Sequence, residues 1–283
     1  MVTMRSARIR PMTVVDTAPA ADLLLRGDWG ERRTFFDWAV AQPTLAPLVA
    51  ERDGEIVGTG VGSVHGSVGW VGTIYVEPAE RGSGLGRAMT RAVIDELEAR
   101  SCRTLLLIAT PMGRPVYERE RFARLDDQVR FSIDGLPGTD GPHDPRIRPF
   151  RPSDLEAIAT LDRFATGEDR STVLASLLAP PSTWVALGAE GAIRGYLARA
   201  PWRGGALIAP DPDDAARLLE MRRRSTGVSG KAGAGLVGSN RAGRERLRAA
   251  GWLEEPGGVR MIRGEPLDWH PEAIWGQFNG ALG

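Results

Sequence analysis

Trp70-Val71-Gly72-Thr73-Ile74-Tyr75-Val76 is an apolar run with the composition of a strand. Glu77-Pro78-Ala79-Glu80 turns the chain, and Arg81-Gly82-Ser83-Gly84-Leu85-Gly86 leads into Arg87-Ala88-Met89-Thr90-Arg91-Ala92-Val93. Leu85, Met89, Val93 and Leu97 recur every fourth residue, the spacing of one helix face. The order is therefore strand, glycine loop, helix. Glycines let backbone N–H groups close in on a ligand, and a helix start adds unpaired donors and the positive end of the dipole. This stretch predicts a site for a phosphate or pyrophosphate.

Outward from it, the chain alternates short strands and helices. Ala7 to Pro11 reads as a strand, Asp16 to Arg26 and Arg32 to Ala41 as helices. Leu45 to Glu51 and Ile56 to Val64 form a hairpin around Asp53-Gly54. After the opening stretch come a buried strand at Arg103 to Ala109, a short helix at Pro115 to Arg121 and a strand at Val129 to Ile133. Residues 135–145, rich in Gly and Pro around His143, read as a linker.

The opening pattern then returns. Arg8-Ile9-Arg10-Pro11, with Asp16 downstream, matches Arg146-Ile147-Arg148-Pro149 with Asp154, at an offset of 138. Phe122 and Val129-Arg130-Phe131 match Trp252 and Val259-Arg260-Met261 at an offset of 130. An internal repeat with a shortened middle accounts for both. The fold class expected is α/β (α+β), with a mixed central sheet flanked by helices in each of two domains, residues 1–134 and 146–283. Three aromatics beyond Gly264, namely Trp269, Trp275 and Phe278, predict that the final segment docks on the body.

The 283 residues and 42% apolar content suffice for ordinary cores. Thirty-six basic and 36 acidic residues balance, which argues against a general binder of nucleic acid or anionic membranes. Cys102 is the single cysteine, so an intrachain disulfide and a cysteine zinc site are excluded. His65, His143 and His270 are scattered and predict no metal. No membrane-length apolar run and no secretory signal is evident, so a cytoplasmic location is expected.

The loop Arg81-Gly82-Ser83-Gly84-Leu85-Gly86, directly after a strand ending Val76-Glu77-Pro78, resembles the Arg/Gln-x-x-Gly-x-Gly/Ala loop of GNAT N-acetyltransferases. Tyr117-Glu118-Arg119-Glu120-Arg121-Phe122 is similar to that family's Tyr-Glu-x-x-Gly-Phe segment, with Arg121 in place of the usual Gly. The second half resembles the divergent C-terminal copy of tandem GNAT proteins, through Asp162, Gly167-Glu168-Asp169-Arg170 and the closing Asn279 to Gly283.

The resemblance implies acetyl-CoA as cosubstrate and transfer of its acetyl group to an amine by direct attack. Arg81, Gly82, Ser83, Gly84, Leu85 and Gly86 would hold the pyrophosphate through their N–H groups. The backbone of Ile74, Tyr75 and Val76 would pair with the pantetheine arm, and an N–H near Val76 would polarise the thioester carbonyl. Tyr117 would give a proton to the leaving thiolate, a nearly balanced transfer at ordinary pKa values of about 10 and 8.5. His65, at the end of the neighbouring strand, is a candidate general base. Asp28, Glu31 or a water chain are alternatives, and Trp29 and Trp38 could line the acceptor pocket.

The acceptor expected is a small-molecule amine. Transfer of a longer acyl group and a non-catalytic acyl-CoA sensor are the rival readings. In the second half, Asp211-Pro212-Asp213-Asp214-Ala215-Ala216 replaces the glycine loop and Leu247 replaces Tyr117, so no acetyl-CoA binding is expected there. Gly233 to Gly238 matches Gly-x-Gly-x-x-Gly without a preceding strand and reads as a flexible turn leading into a strand at Leu236-Val237.

Overall fold

A computed structural model describes residues 7–138, 144–202 and 204–283. His143 and residues 139–143 of the expected linker lie outside the described residues. The elements in chain order are β1 (Arg8–Pro11), α1 (Thr17–Arg26), α2 (Arg33–Ala39), β2 (Leu45–Arg52), β3 (Glu55–His65), β4 (Val68–Val76), α3 (Leu85–Ala99), β5 (Thr104–Ala109), α4 (Arg114–Arg119) and β6 (Ala123–Asp134). They continue with β7 (Ile147–Pro149), α5 (Leu155–Thr166), α6 (Ser171–Leu177), β8 (Thr183–Leu187), β9 (Ile193–Ala198), β10 (Leu207–Ile208), α7 (Pro212–Thr226), β11 (Lys231–Val237), α8 (Arg241–Ala249), β12 (Leu253–Gly264) and β13 (Ile274–Gly276).

The chain divides into two compact units. The first comprises residues up to Ala123 together with Met261–Glu265 and Gly280–Gly283; the second comprises Arg124–Arg260 and Pro266–Asn279.

In the first unit, β1, β2, β3 and β4 pair antiparallel in that order, and β5 joins β4 in parallel. Residues 261–264 of β12 lie beside β5. Helix α3 covers one face. Its Met89, Val93, Ile94 and Leu97 are fully buried, each contributing about 1.5–3 kcal/mol of hydrophobic stabilisation. Gly60, Gly62 and Gly69 give them room, since a Cβ there would press on Met89, Val93 or Leu97 at 2.9–3.3 Å.

Cross-strand pairing then assigns the other face. Thr59 lies opposite Tyr75, Val61 opposite Gly72, Ser63 opposite Trp70 and His65 opposite Val68. All eight point away from α3.

In the second unit, β13, β10, β9, β8 and β7 form one antiparallel sheet. Strands β11 and β6 pair antiparallel from Lys231 opposite Asp134 to Val237 opposite Gln128, with residues 253–260 of β12 on the other side of β6. The strand expected at Leu236-Val237 therefore begins earlier, at Lys231, and takes in Gly233 to Gly235, whose glycines predicted a turn. Pairing of all seven β11 residues with Gln128–Asp134 of β6 outweighs the glycines' low strand preference.

The repeat is visible in detail. Arg10 grips Asp16 through two bonds of 2.7 and 2.8 Å, and the Thr13 N–H donates to the same carboxylate. Arg148 grips Asp154 at 2.6 and 2.8 Å, with the Arg151 N–H as the added donor. Both aspartates fix the entry to a helix. Their partner arginines hold both carboxyls below the ordinary carboxylate range.

Candidate active site

The site begins where β4 and β5 part. Their parallel ladder pairs Val68 with Thr104, Gly69 with Leu105 and Trp70 with Leu106, and goes no further. A bulge then bends β4. Between Thr59 and Val61 the register shifts, so that Thr73 and Ile74 together face Gly60, and Thr73 takes φ of +52°. The Thr59 hydroxyl donates to the Thr73 carbonyl at 2.9 Å and ties the bulge down. From Gly72 to Val76, no strand pairs with the β5-facing edge among the described residues. Apart from the Thr73 carbonyl, held by Thr59, and the Val76 carbonyl, 3.4 Å from Arg81 Nε, that edge is available to an extended ligand.

The glycine loop follows at once. Glu80 is ion-paired with Arg52 on β2, which anchors the turn after β4. Gly82 and Gly84 have φ of +81° and +88°, and a Cβ at either would meet nothing within 4 Å. The conformation demands glycine, and the space beside it is free for a ligand. The Ser83 hydroxyl donates to the Glu80 carbonyl at 2.7 Å. The first regular helical bond is from Ala88 N–H to Gly84 O at 3.0 Å, so the Gly86 and Arg87 N–H groups have no backbone partner among the described residues. These features fit a pyrophosphate: free donors, a helix start and no side chain in the way.

Tyr117 lies on α4, directly after β5. Because β5 runs parallel to β4, α4 begins at the end of the sheet where the two strands part. The helix closes with paired 6→1 and 5→2 bonds: Phe122 N–H to Tyr117 O at 3.1 Å and Arg121 N–H to Glu118 O at 3.0 Å. The Phe122 ring packs edge-on against Tyr117 at 6.2 Å. Arg121 takes φ of +66°, which explains in physical terms why glycine suits that position.

Glu120, buried between them, bonds Arg87 of α3 at 2.7 Å and pairs with Arg91 at 3.4 Å, docking α4 on α3. The Tyr117 hydroxyl has no hydrogen-bond partner among the described residues, and burial pushes its pKa up to about 12. A full proton transfer to sulfur is thus less balanced than ordinary values suggest.

His65 is placed elsewhere. It pairs with Val68, eight residues before Val76, or about 25 Å along the strand. It is buried, and its Nε2 lies 3.0 Å from the Ser63 hydroxyl, which itself donates to the Ala281 carbonyl at 2.6 Å. With that hydroxyl proton used, Nε2 is the donor and not a free base. The structure does not bring His65 to Tyr117 or the loop, because the strand that joins them in sequence also separates them in space.

Trp29 does reach the site. Its half-exposed ring meets Tyr75 edge-on at 5.5 Å, and Gly27 rests on the Tyr75 ring so closely that any Cβ would overlap it. Asp28 and Glu31 are exposed on the same loop. Trp38 is half-buried against Phe35. Cys102 is buried, which raises its thiol pKa and suits a packing role. Among the described residues, no group of three or more His, Cys, Asp or Glu is placed to hold a metal ion, and no helix is long and apolar enough to cross a membrane.

Two features had no sequence signal: the bulge at Thr73, and the packing of Gly280–Gly283 on β4. Gly72 admits that segment only because it lacks a side chain, since a Cβ would stand 2.5 Å from Ala281 Cα.

The second unit repeats the scaffold with the openings filled. The Asp211 carboxylate caps α7, accepting from Asp213 N–H at 2.8 Å and Asp214 N–H at 3.4 Å. Strand β13 covers the free edge of β10, with Leu207 opposite Gly276 and Ile208 opposite Ile274. Trp275 Nε1 adds a bond to the Ala209 carbonyl at 3.0 Å. Helix α8 ends in the same motif as α4, with Trp252 N–H to Leu247 O at 2.9 Å and Gly251 at φ of +81°. Leu247 stands where Tyr117 does. Asp162 and Arg170 form a buried bidentate pair at 2.6 and 2.9 Å, to which the Tyr196 hydroxyl adds a bond.

Comparison with known proteins agrees with this geometry. The acetyltransferase (GNAT) family matches residues 16–120, and a second GNAT acetyltransferase domain matches residues 158–276. YitH of Bacillus subtilis, named an uncharacterized N-acetyltransferase, is 28% identical over 154 residues, 53% of this chain and 54% of that protein. The mycothiol acetyltransferase of Streptomyces avermitilis is 37% identical over 100 residues, 32% of each. The chain thus spans about half the length of the first of these relatives and less of the second.

An acetyltransferase structure from Pyrococcus horikoshii superposes with a TM-score of 0.82 at 20% identity, covering 100% of this chain and 98% of that one. A tandem GNAT protein from the clavulanic acid biosynthesis pathway gives 0.60 at 15% identity, covering 93% and 100%. These likenesses establish the fold. The chain belongs to the GNAT acetyltransferase family and carries two copies of its domain in tandem.

Proposed function

We propose that the first unit transfers the acetyl group of acetyl-CoA to the amine of a small molecule. The observation that carries this reading is the open β4 edge leading straight into a glycine loop and a helix start whose Gly86 and Arg87 N–H groups have no backbone partner among the described residues. An extended arm can pair along Gly72 to Val76 while its pyrophosphate rests on Arg81 to Gly86. The site has a place for both ends of one elongated anionic molecule.

In the reaction, the acceptor nitrogen attacks the thioester carbonyl carbon, the C–S bond breaks, and the sulfur leaves with its electron pair. A β4 N–H near Val76 accepts the charge growing on oxygen. The Tyr117 hydroxyl hydrogen-bonds the departing sulfur. The nitrogen proton passes to water, since no carboxylate or free imidazole is held on β4. The second unit binds no acetyl-CoA, because Asp211 and β13 occupy the corresponding openings.

Calorimetry with acetyl-CoA, followed by thiol release on a panel of amines, tests the reading. One molecule bound per chain and turnover on at least one amine are expected. Saturable binding without turnover on any amine would instead identify a sensor.

A further inference from the structure

The repeat matches the elements of the two copies one to one. Strand β5 and helix α4 of the first copy stand where β11 and α8 stand in the second, and β6, the last strand of the first copy, stands where β12 does. A self-contained copy would lay its last strand beside its own β5 or β11. The structure does the reverse. In the first unit residues 261–264 of β12 lie beside β5, and in the second unit β6 pairs with β11.

In the second unit this exchange reaches the core. Gln128–Asp134 pair residue for residue with Lys231–Val237. Val129 and Phe131 are buried in one cluster with Leu236, Leu247 and Trp252. Gly257 passes so close to β6 that a Cβ would stand 1.6 Å from the Gln128 carbonyl oxygen.

In the first unit the traffic runs the other way. The Glu265 N–H donates to the Arg103 carbonyl at 3.2 Å, and the Thr104 hydroxyl donates to the Glu265 carbonyl at 3.0 Å. Arg263 pairs with Glu98 of α3 at 2.6 Å, and Met261 is buried. A Cβ on Gly264 would stand 2.0 Å from the Arg103 carbonyl oxygen. Gly280–Gly283 then lies on β3 and β4, where Ser63 holds the buried Ala281 at 2.6 Å.

We propose that the two copies are held together by this reciprocal strand exchange and not by residues 135–145 alone. The first unit is complete only with Met261–Glu265 and Gly280–Gly283 of the second copy, and the second unit only with β6 of the first. Without the exchange, β5 and β11 would each keep an edge of unpaired N–H and C=O groups. The second copy thereby has a task that needs no acetyl-CoA of its own: it closes β5, the strand from which α4 and Tyr117 follow. This inference does not depend on the acetyl-transfer reading.

The test uses the full chain with residues 139–143 replaced by a protease recognition sequence, cut after folding. The two fragments should co-elute in size-exclusion chromatography at the position of the uncut chain and part only in denaturant. They should bind acetyl-CoA with unchanged affinity. Gly257→Ala and Gly264→Ala each obstruct one half of the exchange, and each should raise the dissociation constant of the cut fragments by at least about tenfold. Arg241→Ala, exposed on α8, should leave it unchanged. Fragments that elute apart after cutting overturn the inference, folded or not. So does an association that both glycine variants leave as strong as before. If a glycine variant fails to fold uncut, the native cut chain decides. Absence of acetyl-CoA binding in cut and uncut chains alike overturns the acetyl-transfer reading and leaves the association result standing.

Discussion

Tyr117→Phe is the sharpest single test of the chemistry. The hydroxyl it removes has no partner among the described residues, while the ring that remains still packs edge-on against Phe122. Folding should therefore be unaffected. Burial sets the Tyr117 pKa at about 12, against about 8.5 for a thiol. Handing the proton over completely would be uphill by about 5 kcal/mol.

In the proposed mechanism the hydroxyl acts instead as a hydrogen-bond donor to a sulfur that is gaining charge. Such a bond is worth about 1.5–3 kcal/mol when its acceptor is ionised. The loss predicts a roughly 10–150-fold fall in kcat. Stopped-assay turnover with acetyl-CoA and the best amine, run beside calorimetry, measures it. Affinity for acetyl-CoA should stay within about twofold, because the bond is made only as the sulfur leaves. A raised pKa also means the group stays protonated through the usual range, so no basic limb from Tyr117 should appear between pH 6 and 10. A fall in kcat under about threefold, in a variant of native melting temperature, would refute the assignment.

Gly84→Asp puts a carboxylate at the start of α3 and a side chain at φ of +88°. It should abolish the single acetyl-CoA site by calorimetry, leaving none in the chain. Arg121→Gly relieves a left-handed residue and should raise the urea midpoint by about 0.5–1 kcal/mol equivalent, whereas Gly251→Arg in the matching turn should lower it. Asp16 and Asp154 titrate below their unfolded values, so each contributes stability that is complete above about pH 4 and lost as pH falls toward its folded pKa. Chemical denaturation at pH 7 and pH 3 should show Asp154→Asn weakened at the first and with a flatter decline toward the second. Asp211→Ala should cost about 1 kcal/mol through its cap on α7 and create no new acetyl-CoA site.

Local features were legible from the chain alone. The strand, loop and helix from Trp70 to Leu97 follow from period and glycine spacing. Tyr117 and the exceptional Arg121 were visible as a short pattern, and the structure supplies the reason, a left-handed turn that locks the ring onto Phe122.

What was hidden depends on contacts distant in sequence. The bulge at Thr73 is a register event between β3 and β4, with no residue that announces it. His65 looked near the site because strands β3 and β4 are neighbours, but antiparallel pairing carried it to the opposite end. The glycines of 233–238 looked like a turn because their partner, β6, lies a hundred residues away. Burial of Ala281 against Gly72 could not be inferred from either segment, since each only makes sense as the other's neighbour.

The two copies differ in one physical respect that governs the rest. Any strand edge carries N–H and C=O groups that need partners, and any helix start carries donors that need acceptors. In the second unit the chain meets both needs itself: β13 pairs with β10, and the Asp211 carboxylate takes the α7 donors. In the first unit no strand takes the β5-facing edge of β4 beyond Trp70, and the Gly86 and Arg87 N–H groups take no backbone partner among the described residues. On the proposed reading, an extended anion with amide groups takes the β4 edge at one end and these helix-start donors at the other. Filling such positions from within yields a structural domain, and leaving them vacant yields a binding site. On the proposed reading the same scaffold serves both ends of this chain, and the copies differ at a short C-terminal strand, one aspartate and Leu247 in the place of Tyr117.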